Sequence, residues 1–161
     1  MKSLSSKLNE YSNLVILQTL SKAWGLAGLR LGMCFANADV IKLLDKVKPP
    51  YNINSFTQLE ALKSIRTGAE RKNQWVAVLK KERDNLKKSL VELKKVKKVY
   101  PSDANFLLVE FEDAKNMYSQ LVAKGIIVRD RSSVILCANC LRITVGTREE
   151  NSVLIQAIKQ L

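Results

Sequence analysis

The sequence predicts an α/β fold divided between two partial domains, and three observations predict it. Short apolar runs alternate with helical patterns up to about residue 68. A long lysine- and leucine-rich stretch with helical spacing follows over residues 69–97. From Tyr100 onward the pattern tightens into a β-α-β-β-α unit. Such alternation between the periods of helix and strand marks a sheet packed with helices.

Each element has its own local signal. Leu14-Val15-Ile16-Leu17 is an apolar run of strand length, and Gly25 and Gly28 beyond it allow a tight turn and a close backbone approach to a ligand. A helix-prone stretch follows Gly25, and Met33-Cys34-Phe35-Ala36 reads as a second short buried strand. Asn37 suits the N-cap of a helix reaching about Lys46, which Pro49-Pro50 ends. Ser55 opens a helical pattern through Leu59, Leu62 and Ile65, with Gly68 as its stop. The next helix, from about Ala69 to Lys97, places Leu79, Leu86, Leu90 and Leu93 at helical spacing among solvated lysines. Pro101 punctuates the start of a strand from Asn105 to Phe111, whose alternation suits a half-buried sheet. A helix from about Ala114 to Lys124 ends at Gly125, and strands near Ile126–Arg129 and Leu141–Val145 lead to a last helix. Thr147-Arg148-Glu149-Glu150 reads as the capping box of that helix.

Composition narrows the function classes. A chain that is 47% hydrophobic and 26% charged can bury a core and is not disordered by composition. Its apolar runs are too short to span a bilayer, and its first residues lack a signal peptide's regions, so a cytoplasmic protein is expected. The absence of histidine removes serine–histidine and cysteine–histidine nucleophilic pairs. Cys137-Ala-Asn-Cys140 is a lone C-x-x-C without histidine, read as reduced structural thiols in preference to a metal or redox pair. A net charge of +12 raises nucleic-acid binding as a rival function. Much of the excess lies between Lys80 and Lys98, where no aromatic interleaving or nucleic-acid motif accompanies it, so it reads as a solvated helix face.

The residues with chemistry lie in Thr19-Leu20-Ser21-Lys22-Ala23-Trp24-Gly25-Leu26-Ala27-Gly28-Leu29-Arg30-Leu31-Gly32. One lysine stands in a small-residue turn after a strand, where its amine can attack a carbonyl. Arg30 brings a forked cation suited to phosphate, and its charge disfavours a second cation on Lys22. A phosphorylated aldehyde held by Arg30 and bonded to Lys22 is the chemistry these residues suggest.

This motif resembles the lysine-attachment segment of pyridoxal-phosphate aminotransferases of fold type I. Further blocks follow in order: Lys48-Pro-Pro-Tyr-Asn-Ile-Asn-Ser55, Ser102-Asp-Ala-Asn-Phe106, Gly125-Ile-Ile-Val-Arg-Asp130 and Cys140-Leu-Arg-Ile-Thr-Val-Gly-Thr147. Together they resemble the histidinol-phosphate aminotransferases of the class-II subfamily. The resemblance implies the carboxy-terminal portion of a fold type I transferase. Residues 1–68 would end the large cofactor-binding domain, 69–99 would form the connecting helix, and 100–161 the small α+β domain. An intact enzyme would be roughly twice as long. The chain, with its own Met1, is therefore expected to be a fragment, inactive alone, without the family's pyridine-binding aspartate.

The implied activity is pyridoxal 5'-phosphate-dependent transamination of histidinol phosphate with 2-oxoglutarate, giving imidazole acetol phosphate and glutamate, in a cytoplasmic homodimer. Lys22 would be the cofactor lysine and proton carrier; Arg30 and Ser21, with Thr19 as second candidate, would hold the cofactor phosphate. Arg142 would grip the substrate α-carboxylate and Arg129 the phosphate of histidinol phosphate. Tyr51 and Asn54 are minor substrate-site candidates whose plain reading is turn chemistry after Pro50. Trp24 is expected to pack the turn, and no metal is implied. The alternatives are another amino-acid aminotransferase, a related decarboxylase, and a non-catalytic fragment or interaction module.

Overall fold

The computed structural model describes residues 3–161, so Met1, where the predicted first domain begins, lies outside the described residues. The chain divides into two compact units, one up to Trp75 and one from Val76 on.

In the first unit a 3-10 turn at Ser5–Lys7 precedes two strands, β1 (Val15–Thr19) and β2 (Gly32–Ala36). They pair antiparallel, with Val15 opposite Ala36 and Thr19 opposite Gly32. The predicted burial of the second strand is corrected: Phe35 is exposed, as is Leu17 at 78%. A two-stranded sheet offers few neighbours to its faces, and this unit buries only Leu20, Thr57 and Ala61 among the described residues. The helix-prone stretch after Gly25 shortens to a 3-10 turn at Ala27–Leu29, ended by Arg30 in a left-handed conformation at φ 52°. Helix α1 (Ala38–Val47) forms as its cap predicts, with Asn37 Oδ1 accepting the Asp39 N–H at 3.0 Å.

Helix α2 (Ser55–Val91) overturns two sequence expectations. It runs unbroken through Gly68, the predicted stop, for 37 residues. An interior glycine costs a helix only about 1 kcal/mol relative to alanine, and good helix formers surround it. The helix also ends at Val91, short of the predicted Lys97, because Val96–Val99 form a strand, β3. The leucine period that suggests helix stops at Leu93, and β-branched Val96 and Val99 gain more by pairing with the next strand.

The second unit holds a four-stranded antiparallel sheet in the order β3-β4-β6-β5, with β4 at Phe106–Phe111, β5 at Arg129–Asp130 and β6 at Cys140–Thr144. The predicted strand near Ile126–Arg129 is thus reduced to two residues, and Ile127 is exposed. Alternation sorts the sheet's faces. Leu107, Val109, Phe111, Leu141 and Ile143 join a core with Leu86 and Leu90 of α2, Met117 and Leu121 of α3 (Ala114–Ala123), and Leu154 and Ile158 of α4 (Arg148–Gln160). Phe106, Leu108, Glu110 and Arg142 take the opposite parity and are only half-buried. The predicted capping box of α4 forms: Glu150 N–H donates to Thr147 Oγ1 at 3.2 Å, and Thr147 N–H to Glu150 Oε2 at 2.7 Å. Among the described residues no helix is long and apolar enough to cross a membrane.

Candidate functional site

Pairing of Thr19 with Gly32 closes residues 20–31 into one hairpin loop, and four of the predicted site residues sit on or in it. Leu20 is 1% exposed and its N–H donates to the Leu31 carbonyl at 3.4 Å, which pins the start of the loop. Gly25 N–H then donates to the Lys22 carbonyl at 2.9 Å, and Gly25 adopts φ 66°, a conformation L side chains resist. The turn so formed leaves Lys22 exposed, and its amine has no hydrogen-bond or ion-pair partner among the described residues.

Polar donors flank that amine in the loop. Ser21 N–H donates to Thr19 Oγ1 at 3.1 Å, and the Thr19 and Ser21 hydroxyl oxygens share a hydrogen bond at 2.9 Å, with the Leu31 carbonyl 3.5 Å from Thr19 Oγ1. Arg30 uses one guanidinium nitrogen on the Ala27 carbonyl at 3.1 Å and is otherwise exposed. No carboxylate lies within residues 20–31 to compete for these donors. The loop thus carries the groups that a phosphorylated aldehyde would require, hydroxyls and a guanidinium for the phosphate and an amine for the carbonyl. Trp24, expected to pack the turn, has its ring against α2. Lys72 Nζ stands 5.3 Å from its ring centroid, and a Cβ on Gly68 would lie 3.8 Å from its ring.

Tyr51 and Asn54 lie outside this loop, on the approach to α2. Tyr51 is 98% exposed at φ 56°. Asn54 Oδ1 accepts the Thr57 N–H at 2.8 Å, so Asn54 is the N-cap of α2 and its carboxamide oxygen serves the helix.

In the second unit the two predicted substrate arginines are register partners, Arg129 on β5 directly opposite Arg142 on β6. Opposite residues of an antiparallel pair share a face about 5 Å apart, and like charges there are destabilising. Arg142 is held in place by an aromatic platform, with its Cζ 5.2 Å from the Phe106 ring centroid. Its Nε is buried without a hydrogen-bond partner, an orphan donor that carries a desolvation cost unless an acceptor meets it. Sequence reasoning missed Phe106. The available signal was parity, since Phe106 and Arg142 both occupy outward positions of alternating strands.

Comparison with known proteins places the chain in a family. The family model for aminotransferase class I and II matches residues 1–158. The chain is similar to the histidinol-phosphate aminotransferase of Flavobacterium johnsoniae, with 49% identity over 156 residues that cover 97% of this chain and 44% of that protein. The chain thus spans less than half the length of the curated relatives it matches. Among solved structures, the histidinol-phosphate aminotransferase of Clostridium acetobutylicum superposes with a TM-score of 0.90 at 23% identity, covering 98% of this chain and 48% of that one. A decarboxylase from Sulfurospirillum multivorans superposes with a TM-score of 0.87 at 31% identity, covering 99% and 42%.

Proposed function

The chain belongs to the class I and II aminotransferase family, and from that premise we propose that it serves pyridoxal 5'-phosphate-dependent transamination of histidinol phosphate. The proposed exchange with 2-oxoglutarate gives imidazole acetol phosphate and glutamate, and the Flavobacterium relative, named a histidinol-phosphate aminotransferase, supports histidinol phosphate as the amine substrate. The observation that carries the reading is the Lys22 loop, an unpaired primary amine among phosphate donors and free of carboxylates.

Pyridoxal phosphate, when bound, supplies an electron sink for the bond broken at the substrate's α carbon. In the proposed roles Lys22 would anchor the cofactor covalently and, as a free base, would move a proton at the substrate's α carbon. The hydroxyl of Ser21, supported by Thr19, and the guanidinium of Arg30 bind the cofactor phosphate. Arg142 orients the α-carboxylate through its fork and its orphan Nε, and Arg129 takes the substrate phosphate. Tyr51 and Asn54 are carried as minor substrate contacts. A cytoplasmic homodimer and the division at residues 68 and 99 belong to the same proposal. The Sulfurospirillum likeness favours one second reading, a decarboxylase built on the same lysine loop.

Incubation with pyridoxal phosphate, borohydride reduction and peptide mass mapping test the reading directly. A single adduct on Lys22, absent in Lys22→Ala, is expected. Adducts spread over the surface lysines and unchanged in the variant would reject it.

A further inference from the structure

We propose that Cys137 and Cys140 form a dithiol pair that closes to an intrachain disulfide by exchange with a small disulfide of the glutathione type, Cys137 attacking first and Cys140 completing the bond. The chain between β5 and β6 is a series of turns: Val134 N–H donates to the Arg131 carbonyl at 2.9 Å, Cys137 N–H to Val134 at 3.0 Å, and Cys140 N–H to Cys137 at 3.0 Å. The last of these puts a cysteine at each end of a four-residue turn. Such a turn holds its first and fourth Cα atoms within about 7 Å, and a disulfide spans about 4.4–6.8 Å. Asn139, third in the turn, sits at φ 54°, a conformation asparagine tolerates well.

Sequence spacing leaves the two thiols equivalent, and the fold separates them. Cys137 is half-buried, while Cys140 is 1% exposed and its Sγ donates to the Ala138 carbonyl at 3.4 Å. Burial pushes the Cys140 thiol up, and the neighbouring Cys137 and Glu110 push it further. Cys137 is therefore the accessible attacker and Cys140 the resolving thiol.

The exchange balances. Cys137 loses its proton to solvent and its sulfur attacks one sulfur of the small disulfide; the S–S bond breaks, and one thiolate leaves and is protonated. Cys140 then loses its proton and attacks the Cys137 sulfur, expelling the second small thiolate. Two protein thiols are oxidised to one disulfide and one small disulfide is reduced to two thiols. The new bond would close the turn at the start of β6, two residues before Arg142.

Tryptic cleavage after Arg131 and Arg142 isolates both cysteines in one peptide, Ser132 to Arg142, without Cys34. The whole chain is treated with oxidised glutathione, blocked with N-ethylmaleimide and mapped by mass. The expected result is a Ser132–Arg142 peptide lighter by two hydrogen atoms and unblocked, restored to a doubly blocked peptide by prior dithiothreitol. In Cys140→Ser the reaction is expected to stop at a glutathione adduct on Cys137. A wild-type peptide that keeps glutathione on Cys137 without closing, or that stays doubly blockable, would overturn the proposal even if the variant fails to fold.

Discussion

Replacing Gly68 by alanine should stabilise the helix that the residue was expected to end. The glycine lies inside α2, and its φ is not in the left-handed region. An added Cβ would meet the Trp24 ring at 3.8 Å, an ordinary van der Waals contact that displaces nothing. Two terms then act in one direction. Alanine is favoured over glycine in a helix interior by about 1 kcal/mol, and the gain from restricting the unfolded chain alone is about 0.4–1 kcal/mol. These describe largely the same entropy, so the expected total is about 0.5–1 kcal/mol, a roughly 2- to 5-fold slower opening of the local helix. Amide hydrogen exchange along α2, read in the two turns on either side of residue 68, measures that opening. Exchange that speeds up in Gly68→Ala would show that the Trp24 ring cannot admit the methyl group, and the packing described around the Lys22 loop would be wrong.

The same substitution at Gly146 should have the opposite sign. A Cβ there would fall 2.6 Å from Glu150 Oε2 and 2.9 Å from Glu150 Cβ, so Gly146→Ala breaks the reciprocal cap of α4 and should cost about 1 kcal/mol in urea unfolding; an unchanged midpoint would refute the cap's contribution. Acid should weaken the second unit through two carboxyls. Contact with Ser132, whose backbone N–H donates to Asp130 Oδ1 at 2.8 Å, holds Asp130 below its ordinary value, and its own backbone N–H with the Thr147 hydroxyl does the same for Glu149. Depressed folded values mean that their stabilisation is complete above the unfolded values of about 3.9 for Asp and 4.3 for Glu and is lost as pH falls below them. Urea midpoints of Asp130→Asn with Glu149→Gln should therefore fall less steeply than wild type on acidification, and an equal slope would count against both assignments.

Much of the second unit can be read from its residues because its signals are local. The alternation through Phe106–Phe111 separates the faces of β4, and the spacing of Thr147 and Glu150 announces the start of α4. Lys94–Lys98 misleads because the preceding leucines repeat at helical spacing, and only pairing of Val96 and Val99 with β4 decides for strand. Gly68 misleads for the same kind of reason, since a stop signal is local and the decision lies with the helix on both sides. Lys22 stands out through the small residues around it. That its loop is closed by a two-stranded sheet depends on Thr19 meeting Gly32 across a gap no local pattern spans. Arg142 stands out through resemblance, whereas its Phe106 platform and orphan Nε follow from strand register.

Burial along α2 is uneven, with Leu86 and Leu90 sealed in a core and only Thr57 and Ala61 buried in its first turns. A single continuous helix is thus held tightly at one end and hardly at all at the other. Helicity measured by circular dichroism and core integrity measured by side-chain probes should accordingly part company on heating, the amino-terminal turns unwinding while the carboxy-terminal ones persist. A melting temperature taken from the helical signal alone would average two populations of the same rod.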